Sequence, residues 1–478
     1  MKKYIIIFMM AISYMACTKD FEAFNTDQKN PSNVSGEALF TNALKDMTDQ
    51  VSSTNVNLNV WKLFAQYWTE TTYTDESNYD IINRTIPDIT FRTYYRGFLQ
   101  DFKVADSLIR SAPTTNAESE KENKNKLAII EILRAYSYQH LVDIFGNIPY
   151  TEALDVNNIS PKYDDAFTIY KDLFSRIDAA LASMDPAAGS FGNADLIYDG
   201  DVEMWMKFGN SLKLKMGITI SDFDPTLAKT VIEAAAPNVF TSSEDNALFH
   251  YLASTPNNNP LNSDLVLSGR DDFVPANTIV DIMNALNDPR RPKYFTMVNN
   301  NYVGGIYGES NPYSQYSHIS DEIRDPTFPG ILFTYDEVLF YLAEAAARGF
   351  NVGGTPDSFY NNAIKESILF WGGTEAEAQT YLTAPAVAYA TATGDWRQKI
   401  GTQAWIAFYT RGLEGYTEWR RLDYPVLNIA PAITNYNEIP KRFTYPVNEQ
   451  TLNAANYYKA SQEIGGDELT TKLFWDKF

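Results

Sequence analysis

Cysteine is almost missing from this chain: Cys17 is the only one in 478 residues. A single cysteine rules out an internal disulfide framework. Histidine is nearly as scarce, with only His140, His250 and His318. No two of them are spaced to share one helical turn, which argues against a zinc hydrolase. His140 falls inside a helical pattern and reads as a structural histidine. No Gly-x-Ser-x-Gly elbow and no phosphate-cradling loop occurs, so neither a metal nor a cofactor is expected. Basic charge is in deficit, with 39 Lys and Arg against 60 Asp and Glu and a net charge of −21. That balance speaks against nucleic acid or an anionic lipid surface as ligand, since either needs a basic face. Apolar runs are short as well. The run from Tyr4 to Ala16 is about 13 residues, whereas crossing a bilayer takes roughly 20.

What is present begins at the N-terminus. Met1-Lys2-Lys3 gives a positive start, Tyr4 to Ala16 an apolar stretch, and Ala16 a small residue just before Cys17. This pattern is expected to be a secretory signal, residues 1–16, removed to leave Cys17 as the first residue and lipid attachment site. An ordinary signal followed by a free cysteine is the alternative, and Tyr14 stands where a lipoprotein signal usually has leucine. Lys19-Asp20-Phe21-Glu22 resembles the lysine-plus-acidic export tag of surface lipoproteins in the Bacteroidetes. From Asn25 to Val34 the chain is polar without an apolar period, and an extended arm is expected.

Beyond the arm, 45% hydrophobic and 14% aromatic residues are enough for a large folded core. Helical periodicity dominates. Ala166, Tyr170, Leu173, Ile177, Leu181 and Met184 recur at three or four, with Asp164 and Asp165 at the start and Pro186 beyond. Trp205, Phe208, Leu212 and Met216 repeat the pattern after Asp201. Thr334 and Glu337 have the spacing of a capping box, opening a helix that runs to Gly349. Between Leu127 and Phe145 apolar residues occupy two faces, which predicts a helix sandwiched between neighbours. Successive helices with short loops suggest stacked hairpins of the tetratricopeptide kind, although no clean repeat consensus is found. Ser254 to Pro329 and Thr380 to Asp395 lack periodicity and are expected to be irregular.

Several separated segments resemble the SusD/RagB family of nutrient-binding outer-membrane lipoproteins, in particular its SusD-like branch. They include Asn25 to Pro31, Gln66-Tyr67-Trp68, Tyr73 to Tyr79, Arg134-Ala135-Tyr136, and Leu141 to Tyr150 followed by Glu152-Ala153. Later come Tyr198 to Asp201, Asn210-Ser211-Leu212, Asp288 to Arg291, Trp419-Arg420-Arg421, Arg442 to Pro446, Gly465-Gly466-Asp467 and Phe474-Trp475-Asp476. Each also has a plain structural reading: Gly146 and Pro149 stop a helix, Asp201 caps one, and Arg420 and Arg421 pair with carboxylates. The resemblance implies a mainly all-α fold, a tetratricopeptide-like helical-hairpin scaffold with a loop-rich capping subdomain. It divides the chain into a leader (1–16), a lipid-anchored arm (17–35), the scaffold (36–225), a loop-rich capping region (226–330), a helical pair of the scaffold (331–372) and a C-terminal region (373–478) completing the cap. It also implies a partner, a SusC-like TonB-dependent barrel.

The function expected is surface binding of a nutrient, glycan or peptide, by a protein that is not an enzyme, held to the membrane by its lipid. The alternatives are a helical hydrolase using paired carboxylates and a purely structural helical-repeat scaffold. Thirty-one tyrosines suit uncharged polar ligands, because the ring offers a flat apolar face and the hydroxyl a hydrogen bond. Two groups are candidates for ligand contact: Tyr67, Trp68, Tyr73, Asp75, Asn78 and Tyr79, and Tyr302, Tyr307, Tyr313 and Tyr316.

Overall fold

Side-chain oxygens placed just ahead of apolar-periodic stretches start most of the helices. In a computed structural model, which describes residues 34–433 and 438–478, these become N-caps. Numbering the α-helices of eight residues or more, the first half holds α1 (Gly36–Ser52), α2 (Gln100–Ser111), α3 (Ala117–Phe145), α4 (Ala166–Ser183), α5 (Val202–Thr219) and α6 (Pro225–Ala235). The second half holds α7 (Asn277–Ala285), α8 (Tyr335–Ala347), α9 (Pro356–Phe370), α10 (Glu375–Leu382), α11 (Trp396–Ala407), α12 (Gly412–Leu422) and α13 (Ala454–Glu463). Cys17, the leader and all of the arm except its last residues lie outside the described residues.

Asp165, Asp201, Asp224 and Thr355 each accept a backbone N–H three residues on, satisfying a donor that has no partner within the helix. Asp165 is therefore the cap of α4, while Asp164 belongs to a short strand before it. The box expected at Thr334 is not made: Thr334 precedes α8, but its hydroxyl bonds nothing and Glu337 turns inward to Tyr341 and Arg411. An acceptor for a buried arginine outweighed a helix cap.

Helices pair as α1 with α2, α3 with α4, α5 with α6, and α8 with α9, and α8 lies in addition against α5 and α11. This is the stacked-hairpin scaffold. Spanning about 43 Å at 1.5 Å per residue, α3 is buried on all sides over its C-terminal half, from Ala135 to Phe145. Gly146, at φ +85°, ends it in a conformation that a side chain would resist.

Three two-stranded antiparallel sheets close the gaps. β1 (Trp68–Glu70) pairs with β5 (Phe273–Pro275), β2 (Ile148–Pro149) with β3 (Tyr163–Asp164), and β4 (Ala247–Phe249) with β6 (Gly330–Phe333). The first of these sews the stretch after α1 to the region around residue 270, with Glu70 opposite Phe273. Ser254 to Pro329, expected to be irregular, contains α7, whose Thr278, Ile279, Val280 and Met283 are buried. Its apolar face was too short to register as a period. Likewise α10 runs into the start of the second expected loop, ending at Leu382.

The familial segments meet at the C-terminal end of α3. Asp143 accepts from the Tyr170 hydroxyl at 2.6 Å, from Trp475 Nε1 at 3.0 Å and from Gln139. Arg442 donates to the Phe145 carbonyl, and Arg420 to the carbonyls of Asp143 and Lys441. Arg420 thus serves carbonyls rather than the carboxylate expected of it, because the last carbonyls of α3 have no helical donors. Its neighbour Arg421 does pair with carboxylates, Glu344 at 2.5 Å and Glu418 at 3.1 Å.

Candidate ligand-binding cleft

A strand alternates its side chains, so in Trp68-Thr69-Glu70 the first and third residues share a face. Trp68 enters the core, donating Nε1 to the Tyr409 hydroxyl at 2.7 Å. Glu70, two residues on, reaches the wall of an open cleft of about 520 Å³. The chain then turns: Thr71 bonds Asp272 and Asp271 on the β5 side, and Tyr73 comes out into the same cleft at 63% exposure. Glu76 and Arg84 return to the wall from the following turns, and Phe273, Asp272 and Arg270 complete it from β5. Asn55, Asp264 and Ser268 close the far side.

The charges in this cleft are paired. Arg270 grips Asp272 through Nε at 2.6 Å and Nη2 at 3.0 Å. Arg84 lies 3.0 Å from Glu76 and 3.4 Å from Asp75. Glu70 accepts from the Ser77 backbone and hydroxyl at 2.9 and 2.8 Å, and the Glu76 carboxyl lies beside it. Burial, reinforced by the neighbouring Glu76, pushes Glu70 up to about 9, so at neutral pH it holds a proton. On the opposite wall burial also raises Asp264, against the hydrogen bonds it accepts from Thr54 and Ser53. One exposed ring beside fixed donors and acceptors suits an uncharged, hydroxyl-rich molecule stacked on Tyr73.

The other aromatic candidates lie elsewhere. Tyr67 is fully buried, donating to the Trp405 carbonyl at 2.6 Å, and a Cβ on Gly415 of α12 would stand only 1.9 Å from its hydroxyl oxygen. Tyr79 sits edge-on to Phe64 with its hydroxyl accepting from Gln66 at 3.2 Å, and Tyr307 donates to the Leu63 carbonyl at 2.9 Å. With Trp68, these rings belong to the core. Asn78 is buried and ties the loops together, donating to Gly308 and accepting from Ala432. Asp75 is exposed and paired with Arg84. Tyr302, Tyr313 and Tyr316 are half-buried: the Arg291 guanidinium lies over Tyr302 at 5.5 Å, and Tyr313 stacks on His318 at 3.8 Å. None of these three lines the cleft. Sequence reasoning missed Glu70, Glu76, Arg84, Arg270 and Asp272. Of these, Glu76 sat inside a familial segment and Arg270 and Asp272 inside the stretch expected to be irregular, while Glu70 and Arg84 carried no local signal.

Among the described residues no group of three or more His, Cys, Asp or Glu is placed to hold a metal ion, and no helix is long and apolar enough to cross a membrane. His140 is structural, its ring between the Tyr94 hydroxyl at 3.2 Å and Glu414 at 3.3 Å.

Compared with known proteins, residues 28–446 match the SusD-like family model described as "Starch-binding associating with outer membrane". Among solved structures, one described as a chitin-binding protein is 27% identical, with a TM-score of 0.80 over 93% of this chain and 100% of its own. A SusD homolog from Bacteroides uniformis ATCC 8492 is 24% identical, with a TM-score of 0.77 over 92% of this chain and 99% of its own. A chitin-binding SusD homolog from Flavobacterium johnsoniae, 22% identical with a TM-score of 0.76, covers 92% of this chain and 98% of its own. No curated protein matches this sequence. A helical scaffold shared at nearly full length with these structures, and a family match across most of the chain, lead to one conclusion: this protein belongs to the SusD-like family.

Proposed function

We propose that this protein is a lipid-anchored outer-membrane binding protein that captures a neutral glycan in the Tyr73 cleft and hands it to a SusC-like TonB-dependent barrel. The observation that carries the binding reading is Tyr73 itself, a ring left 63% exposed in a cleft lined by Phe273 and Val56 and by ion-paired or hydrogen-bonded polar groups. Sugar rings present apolar C–H faces and a hydroxyl rim, which match that combination. The family description and the 27%-identical chitin-binding structure favour a glycan over a peptide, and N-acetylglucosamine oligomers are the first ligands to test. Cys17 would carry the lipid, and the polar residues after it would let the body reach over the pore.

A binding rather than hydrolytic role is supported by the carboxyl pair. Glycoside hydrolysis needs two carboxyls about 5 to 9.5 Å apart, flanking the scissile bond. Glu70 and Glu76 instead adjoin on one wall of the cleft rather than flanking a space between them.

Titration calorimetry with N-acetylated chitin oligosaccharides tests the reading. Tyr73→Ala should keep the fold, since the ring is mostly in solvent. It should lose about 2 kcal/mol, roughly thirtyfold in affinity, as truncation of a central aromatic anchor does. Unchanged affinity in the folded variant would remove the cleft from consideration, and binding of peptides instead would transfer the site to the other ligand class.

A further inference from the structure

A second cleft, about 530 Å³, opens on the other side of the wall that bounds the Tyr73 cleft, and Asn55 and Asp264 line both. The wall is thin and built. Asp264 Oδ2 holds the Ser53 hydroxyl and the Thr54 amide at 3.1 Å each, fixing the chain between the two spaces. Beneath it Lys62 is buried, its ammonium bound to the Ser52 and Ser53 carbonyls at 2.9 and 3.0 Å.

Two features mark this second cleft as more than a fissure. Gln50 lines it at 4% exposure with its Nε2 donating to the Leu58 carbonyl, yet its Oε1 accepts nothing. A buried acceptor without a donor is unfavourable, and a ligand N–H or O–H would relieve it. The cleft is also flanked by π-helical turns, Thr93–Leu99 and Ser263–Leu267, through Thr93, Gly97, Ser263 and Asp264. Such turns spend regular hydrogen bonding and are frequent at functional sites. The charges that line this cleft are carboxylates, Asp46, Asp49 and Asp264, so it offers acceptors and repels anions.

We infer that the two clefts are one extended site, in which a neutral oligosaccharide stacked on Tyr73 crosses the Asn55–Asp264 wall and places further sugar residues against Gln50. The inference rests on the glycan reading above and extends it: the ligand is a chain rather than a single sugar, and acidic polysaccharides are excluded. A second set of contacts on a ligand already tethered adds affinity without a new encounter, so longer oligomers gain.

The probes are N,N′-diacetylchitobiose and the N-acetylated chitin hexamer, measured by calorimetry. Wild type should bind the hexamer at least about tenfold more tightly than the dimer. Gly97→Leu plugs the second cleft from its far wall. A Cβ there meets only the Thr93 Cγ2 at 3.8 Å, so the variant should fold. It should bring the hexamer down to the affinity of the dimer and leave the dimer unchanged. Gln50→Met, which removes the unpaired acceptor, should act in the same direction, whereas Tyr73→Ala weakens both ligands. Equal affinities for dimer and hexamer in wild type, or an undiminished hexamer affinity in folded Gly97→Leu, overturn the extended site alone. Absence of binding by either probe overturns the glycan reading along with it.

Discussion

Trp68 and Tyr73 stand five residues apart in one aromatic-rich segment and have opposite fates, because the turn between them leaves the core for the cleft. Composition alone gave them equal standing. Glu70 lies between them, and it makes the cleft sensitive to pH. Its ordinary value of 4.5 is raised to about 9 by burial, with the adjacent Glu76 adding to the shift. The groups around it are Glu76, with Arg84 behind, and Ser77, and the Arg270–Asp272 pair shares the same cleft. Between these values the native state holds a proton that the unfolded chain has released, so stability falls as pH rises through the window and levels off above it. Below about 4.5 both states are protonated and the penalty vanishes. Glu70→Gln keeps an acceptor for Ser77 but cannot ionise. Its melting temperature should therefore move above that of wild type progressively from pH 5 to pH 9. A difference that stays constant across that series would show that Glu70 does not titrate in the way described.

Among elements, α5, α8 and α12 are unusual in packing charged faces together. Lys215 of α5 lies 3.4 Å from both Glu337 and Glu414, and Arg411, just before α12, pairs with Glu337. Further along, Glu344 of α8 receives Arg421 at 2.5 Å and Arg348 at 2.8 Å, and Arg348 also reaches Asp222. A set of this kind adds little over an apolar core while intact, but losing one member strands the rest. Burial acts against ionisation of Glu344, yet the two arginines hold its carboxyl below the usual value. Glu344→Ala leaves two buried guanidinium groups confronting each other and should cost about 3–5 kcal/mol. Urea denaturation would register this as a lower midpoint at unchanged slope, and a loss under about 1 kcal/mol would mean that water enters to solvate the arginines. The sequence disclosed the helices and a carboxylate partner for Arg421 but not which one, since Glu344 is far from it in the chain and resembles a surface residue.

At the scale of the whole molecule, the family segments serve as clamps. Arg420, Arg442, Phe443 and Trp475 all come from the last sixty residues or so, and all bind the end of α3 around Asp143 to Phe145. They give the fold its closure, and none of these four residues lines the cleft, so they make the family legible and say nothing of the ligand. The body carries no membrane-spanning helix among its described residues, so attachment on the proposed reading depends on Cys17. Covalent acyl chains contribute about 0.8 kcal/mol per buried methylene, and more than one chain is needed for stable anchoring. Cys17→Ala should fold as wild type and appear in the soluble fraction. If it still sediments with outer membrane as tightly as wild type, the lipid is not the anchor.

The sequence by itself determined the helical architecture, the cap at Asp201 and the family, because these rest on periodicity of 3.6, on an Asp ahead of an apolar run, and on motifs a few residues long. Tertiary structure alone decided which rings are surface and which are core. Tyr67, Trp68, Tyr79 and Tyr307 went inside, each satisfying its polar atom on a distant backbone or side chain, and Tyr73 stayed out. It also decided the cleft itself, by pairing β1 with β5 across about two hundred residues and so bringing Glu70 and Glu76 to face Arg270 and Asp272. Local pattern specifies a residue's own element, whereas a binding site is made of neighbours that only the folded chain supplies.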